Sequence, residues 1–179
     1  MSGSLTLIVG PMFSGKTTYL INIYDKLIKT NNKVLAINHI IDDRYGKNSI
    51  ITHSKKAIPS WDFKLLRQIY DNFDTFNEHQ HILINEGQFF QDLFQIVSVI
   101  VERYKKDVYV CGLDGDFNRN KFGNILDLIP ICDDIIKLKA KCNICSKDAI
   151  FSKRLSNESQ QIVVGNNNYI PVCRNCYNS

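Results

Sequence analysis

A chain of 179 residues, 44% hydrophobic and 22% charged, has room for one ordinary domain or a domain plus a small module. Its net charge of +4 suits a handler of polyphosphates, but the lysines are scattered or merely paired, as at Lys55-Lys56 and Lys105-Lys106, and predict no nucleic-acid partner. No apolar run approaches a membrane span and the opening Met-Ser-Gly-Ser lacks the regions of a signal peptide, so the six cysteines are expected in a reducing compartment, as metal ligands rather than disulfides.

In chain order, the apolar run 5–9 predicts a buried strand that feeds Gly10-Pro11-Met12-Phe13-Ser14-Gly15-Lys16-Thr17. This segment fits Gly-x-x-x-x-Gly-Lys-[Ser/Thr], a loop whose backbone N–H groups, with the following helix N-terminus, cradle phosphate. Lys16 then reaches the outer phosphates, and the Thr17 hydroxyl ligates Mg²⁺. The stripe Leu20, Ile23, Tyr24, Leu27 and Ile28 predicts an amphipathic helix ended by Asn31-Asn32.

Residues 34–37 read as a second strand, 39–60 as a long loop without periodicity, and 62–73 as a helix. A third strand is expected at 81–84, a helix on the stripe Leu93, Ile96, Val97, Ile100, Val101 and Tyr104, a fourth strand at 108–112 and a fifth at 135–138. Strands alternating with amphipathic helices predict an α/β fold with a mainly parallel sheet covered on both faces. Loops after Val9, Ile37, Ile84 and Gly112 then converge beyond the strands' carboxyl ends, where such folds bind ligands.

Near Lys139 the composition turns polar, dividing the chain into a phosphate-binding domain over 1–138 and a second module over 139–179. Cys142-Asn-Ile-Cys145 and Cys173-Arg-Asn-Cys176 form two knuckles separated by 27 residues. Each places two thiolates at adjacent corners of a tetrahedron, and together they predict a closed Cys₄ zinc site of structural kind. Cys111 and Cys132 lie in apolar context and read as small buried residues. Between the knuckles, 149–155 and 160–164 are expected to pair as a hairpin, followed by a turn over 165–168 and a return to the metal over 169–172.

Three further clusters carry chemistry. Asn85-Glu86-Gly87-Gln88 follows the third strand, where Glu86 is placed to take a proton from an attacking hydroxyl. Asp42-Asp43-Arg44-Tyr45 follows the second, where an arginine offsets charge on a transferring phosphoryl group. Leu113-Asp-Gly-Asp-Phe117 follows the fourth and offers an aromatic platform for a base.

Together these motifs resemble the type II thymidine kinase family, the cytosolic and poxvirus type. The resemblance spans nearly the whole chain. It rests on residues 10–17, Asp-x-Arg-Tyr at 42–45, Thr52-His53, Glu-Gly-Gln-Phe-Phe at 86–90 and Leu-Asp-Gly-x-Phe at 113–117. Phe122-Gly123, the first knuckle, Lys153-Arg154 and Val172-Cys-Arg-x-Cys-Tyr177 complete it. The resemblance implies a P-loop NTPase-like fold with a zinc-ribbon module, and ATP-dependent phosphorylation of the thymidine 5′-hydroxyl. It makes Glu86 the general base and puts Asp42, Arg44 and Lys16 beside the phosphates. Phe117 meets the thymine ring, with Met12, Leu113 and Ser152 lining the base pocket. A zinc-tethered lasso through Gln161, Ile162, Val163, Val164, Gly165 and Tyr169 closes over the nucleoside. It further implies a homotetramer, a cytoplasmic location and inhibition by the end-product triphosphate.

The chain departs from the family pattern twice. The residue before Glu86 is usually Asp and here is Asn85, left to act on Mg²⁺ through water; and the lasso is one residue shorter between Gly165 and Tyr169. On the residues alone, two other readings stay open: a zinc-ribbon P-loop ATPase acting on nucleic acid, and a nucleotide-binding protein weakened at Asn85.

Overall fold

The computed structural model describes residues 2–42, 46, 48–52, 54–162 and 168–179. Strand β1 (Ser4–Val9), helix α1 (Lys16–Lys29) and strand β2 (Val34–His39) are followed by three short strands, β3 (Ser49–Ile51), β4 (Ala57–Pro59) and β5 (Trp61–Phe63). A 3₁₀ helix over Leu66–Asn72 leads into α2 (Phe73–Glu78), then β6 (His81–Ile84), α3 (Leu93–Glu102) and β7 (Asp107–Gly112). After a further 3₁₀ helix, Ile125–Ile131, come β8 (Asp134–Lys137), β9 (Ala140–Lys141), β10 (Asp148–Ala149), β11 (Phe151–Arg154), β12 (Tyr169–Val172) and α4 (Arg174–Asn178).

The central sheet has the order β5-β2-β6-β7-β1-β8, and every pairing in it is parallel. The inner strands β1, β6 and β7 are mainly apolar runs because both faces are covered there, whereas edge strand β8 is largely exposed. Leu5, Leu7 and Val9 pack on one side with Leu93, Val97 and Ile100 of α3 and with Ile125 and Leu128. Ile8 points to the other side, against Leu20 and Ile21 of α1. Helix α3 is rich in β-branched residues, Ile96, Val97, Val99, Ile100 and Val101, each less favourable than Ala by up to about 0.7 kcal/mol in a helix. Full burial of a side chain such as Leu93 or Val97 contributes roughly 1.5–3 kcal/mol, so packing decides the conformation here.

Helix α1 ends where Asn31-Asn32 predicted. Asn31 takes a left-handed φ of 62°, and the Thr30 hydroxyl and Asn32 amide both donate to the Leu27 carbonyl. The second module has a small core of its own: Ala140, Cys142, Ala149 and Val172, joined by Phe151, Ile170 and Tyr177.

The structure corrects four expectations. Residues 39–60 hold the antiparallel hairpin β3–β4, whose Ile50 and Ile58 are buried against α1; strands of three residues are too short to show a period. The helix expected over 62–73 begins instead as strand β5, paired with Ile37–His39 of β2, and turns helical only from Leu66. Both Asp92 carboxylate oxygens accept from the Leu66 and Arg67 N–H groups, fixing that start from outside the segment. In place of the hairpin expected between 149–155 and 160–164, β11 pairs with β12, Phe151 opposite Val172 and Arg154 opposite Tyr169, and residues 160–162 form no strand; Val163 and Val164 lie outside the described residues. Finally, Cys111 is buried as expected, whereas Cys132 is only partly so.

Candidate active site

The phosphate-binding loop runs from β1 into α1 through Gly15, whose φ of +82° is a conformation that strains any side chain. The Lys16 ammonium folds back and donates to the Pro11 carbonyl at 2.7 Å, and the Ser14 N–H also turns toward that oxygen. The first turn of α1 carries no acidic residue, so its N–H groups and the positive end of the helix dipole are left for an anion. Met12, Phe13, Gly15, Lys16, Thr17 and Thr18 line a cavity here. Gly10, Pro11 and Ser14 shape the loop behind it; a Cβ on Gly10 would lie 2.5 Å from the Leu138 carbonyl of the edge-strand connection.

The other strand ends meet in the same cavity, as the topology predicts. Ile41 and Asp42 follow β2, Asn85, Glu86 and Gln88 follow β6, and Leu113, Asp116 and Phe117 follow β7. The second module closes it with Ser152, Gln161, Ile162 and Tyr169. Asp43, Arg44, Tyr45, His53, Val163, Val164 and Gly165 lie outside the described residues. Sequence reading gave no role to Ile51, Phe89 and Phe122, which also line the cavity.

Glu86 is held in a left-handed conformation, φ 53°, at the start of a 3₁₀ turn over Gly87–Phe89. Its carboxylate accepts from Gln88 Nε2 at 2.6 Å, while Gln88 Oε1 accepts from the Leu113 N–H at 2.9 Å. Gln88, 3% exposed, thereby ties the β6 loop to the β7 loop. That approach requires glycine at 112, because a Cβ there would stand 2.3 Å from Gln88 Oε1. No one-residue signal marks Gln88 as this bridge; its partners come from both loops.

Behind Glu86 lies a buried polar triad. Asn85, 1% exposed, donates from Nδ2 to Asn38 Oδ1 at 2.9 Å, and its Oδ1 accepts from the Cys111 thiol at 3.0 Å. Burial, reinforced by the nearby Glu86 charge, pushes the Cys111 thiol up to about 12, so it stays a donor. A neutral amide, partnered by the Asn38 amide and the Cys111 thiol, suits this buried position at the wall of the cavity.

The four knuckle cysteines bring one sulfur each to within 4.8 Å of one another, with Cys145 and Cys173 sulfurs 3.6 Å apart. A tetrahedral ion with sulfur ligands at about 2.3 Å requires sulfur separations of about 3.8 Å, so this donor set fits a closed metal site. At Cys142 burial opposes ionisation, but N–H groups of Cys173, Cys145 and Ile144 outweigh it and pull the thiol down to about 6. Cys173 is lowered first by the Cys176 N–H, while Cys176 is pushed up to about 12 by the sulfurs of Cys145 and Cys173. N–H groups aimed at sulfur prepare thiolates, and their mutual repulsion is what a bound cation relieves.

The family model described as thymidine kinase matches residues 3–177. A thymidine kinase of Oryza sativa subsp. japonica is 39% identical over 179 residues, covering 98% of this chain and 66% of its own length. Thymidine kinase a of Arabidopsis thaliana is 37% identical, with 98% and 75% covered. The thymidine kinase of Myxoma virus (strain Uriarra) is 39% identical, with 98% and 96% covered. The chain belongs to the thymidine kinase family.

Proposed function

We propose that this chain transfers the γ-phosphoryl group of ATP to the 5′-hydroxyl of thymidine, giving dTMP for nucleotide salvage. One observation carries the reading: the phosphate loop, a carboxylate, the Phe117 ring and a wall from the second module that carries Tyr169 meet in one cavity. Residues 10–17 hold the triphosphate, with Lys16 at its outer phosphates, and Asp42, Asp43, Gly87 and Gln88 border it. Thymidine lies against Phe117, between Met12, Leu113 and Ser152, with residues 161–165 and Tyr169 closing over it.

In the transfer, the thymidine 5′-oxygen forms its bond to the γ-phosphorus as the bond from that phosphorus to the β–γ bridging oxygen breaks and ADP leaves. Glu86 accepts the hydroxyl proton, aimed by Gln88, and Arg44 offsets charge on the moving group. Thr17 and, through water, Asn85 would hold Mg²⁺; when bound, the ion neutralises charge on the β- and γ-phosphates. Cys142, Cys145, Cys173 and Cys176 would hold zinc, which pins the ends of the loop between the knuckles and enters no chemical step.

We take 1–138 as the nucleotide-binding domain and 139–179 as the zinc-binding module. Among the described residues no helix is long and apolar enough to cross a membrane. The family resemblance supports a cytoplasmic homotetramer inhibited by the end-product triphosphate, and the modest +4 charge supports no nucleic-acid partner. The test is a panel of nucleosides with ATP, scored by monophosphate formation. Thymidine-dependent dTMP is expected. ADP release that needs nucleic acid, or no turnover with any nucleoside, overturns the reading.

A further inference from the structure

Arg154 closes β11 opposite Tyr169 and is 9% exposed, yet it is absent from the cavity wall. All of its five N–H donors are used. Nε donates to the Tyr169 hydroxyl at 3.1 Å, and one terminal nitrogen donates to the Glu158 carbonyl at 2.8 Å and to the Gln160 carbonyl. The other donates to the Gln161 carbonyl at 3.0 Å and to the Tyr169 hydroxyl. The flat guanidinium lies over the Phe117 ring, its carbon 3.7 Å from the centroid. Gln161 is held a second time, its amide donating to Asp116 Oδ2 at 2.8 Å, while Asp116 Oδ1 accepts from the Asn118 and Asn120 N–H groups that follow Phe117.

A buried cation needs compensation, and among the described residues no carboxylate forms an ion pair with Arg154. Backbone carbonyls and two aromatic rings supply it instead. The charge is therefore satisfied only while residues 158–161 stay in place, and the same group backs the ring that lines the cavity.

Resting on the proposed thymidine kinase reading, we propose that Arg154 is a positioning residue for the nucleoside: it fastens the segment carrying Gln161 and Ile162 to the rear of Phe117 without touching substrate. Lysine keeps the charge but has three donors and no plane, so it cannot span three carbonyls and a hydroxyl while stacking on a ring.

The test compares wild type, Arg154→Lys and Arg154→Gln by thymidine KM, ATP KM, kcat, bound zinc, and the rate of cleavage after Glu158 by a glutamate-specific protease. Loss of two or more of these hydrogen bonds is expected to raise thymidine KM about tenfold in Arg154→Lys and further in Arg154→Gln. Cleavage should quicken by a similar factor, with ATP KM and zinc content unchanged. Wild-type thymidine KM and cleavage rates in both variants overturn the inference, as does a parallel loss of ATP binding and zinc, which marks a general folding role. A wild-type protein that does not phosphorylate thymidine overturns the functional reading instead, and the protease comparison then decides the fastening alone.

Discussion

The Met12 N–H donates to Ser152 Oγ at 2.9 Å, joining the phosphate-binding loop to a strand 140 positions further along the chain. Ser152 is 5% exposed and lines the cavity, so the joint lies where the two substrates of the proposed reaction meet. Ser152→Ala removes the acceptor of a part-buried N–H, a loss that typically costs about 1–3 kcal/mol. The expected outcome is a several-fold rise in KM for ATP and thymidine together, with Ser152→Thr retaining most of the function. Steady-state kinetics with each substrate varied in turn will check it; a change confined to one substrate would show that the joint transmits nothing.

Glu86→Gln preserves the shape of the side chain and a partner for Gln88 but removes its basicity. Turnover should fall by ~10²–10⁴ with both KM values nearly unchanged, the range typical of a lost general base. Near-normal kcat in this variant would transfer the proton to another group, with Asp42, on the same cavity wall, the first to examine.

Replacing Cys145 by Ser leaves the knuckle cluster with three sulfurs and should release the metal. Cys142 is both a cluster member and part of the small core with Ala149 and Val172, so metal loss and loss of that core should occur together. Metal analysis, with titrations of thymidine and ATP, should find zinc gone and thymidine binding weakened more than ATP binding. Full thymidine affinity in a zinc-free preparation would contradict this.

The Asn85→Asp variant places a carboxylate in a site 1% exposed, opposite Asn38 Oδ1. Asn38 must turn its amide to donate, after which the new charge, beside the nucleotide cavity, can favour a hydrated cation. Thermal stability is expected to drop while half-maximal activity is reached at lower Mg²⁺. Unchanged Mg²⁺ dependence would place residue 85 outside the ion's reach.

His39 carries a pH signature. Burial lowers its pKa below the ordinary 6.5, a shift that the Lys64 carbonyl hydrogen bond only partly offsets. Nδ1 accepts from the Ile41 N–H at 3.2 Å, so the neutral ring fits and a second proton would face a donor. Between the folded value and 6.5 the unfolded chain binds more protons, hence stability rises with pH across that window and falls on acidification through it. Chemical denaturation from pH 7.5 to 5 should show this slope in wild type and a flatter one in His39→Gln. An identical slope in both proteins would assign the acid sensitivity elsewhere.

What could be read in the sequence was whatever leaves a local periodicity or a fixed spacing. The runs that became β1, β6 and β7 are apolar because both sheet faces are covered, and each is long enough to be recognised. The loop at 10–17 and the paired cysteines are spaced by the geometry of a phosphate and a tetrahedron. Trp61–Phe63 left no such mark, since its strand exists only by pairing with Ile37–His39. The role of Arg154 was equally silent: Lys153-Arg154 enters the family resemblance as a bare motif, and the partners of Arg154 are backbone carbonyls, which no residue type records. Gln88 and Asn85 are singled out by their place after the third strand, but their hydrogen-bonding roles are not legible there, because Leu113, Asn38 and Cys111 on other strands set them.

The strand order also dictates a sequence of events during synthesis. β1 precedes its sheet neighbours, β7 and β8, by about a hundred residues or more, with Ser4 opposite Asp107 and Thr6 opposite Asp134. Until those strands have left the ribosome, the run Leu5–Val9 has no partner on either edge, and the phosphate loop at its end has no frame to hold it. Closing loops of this span before any contact rewards them makes assembly slow. Strand β1 therefore waits as an unpaired apolar edge, the kind of nascent segment that chaperones shield and that aggregation exploits.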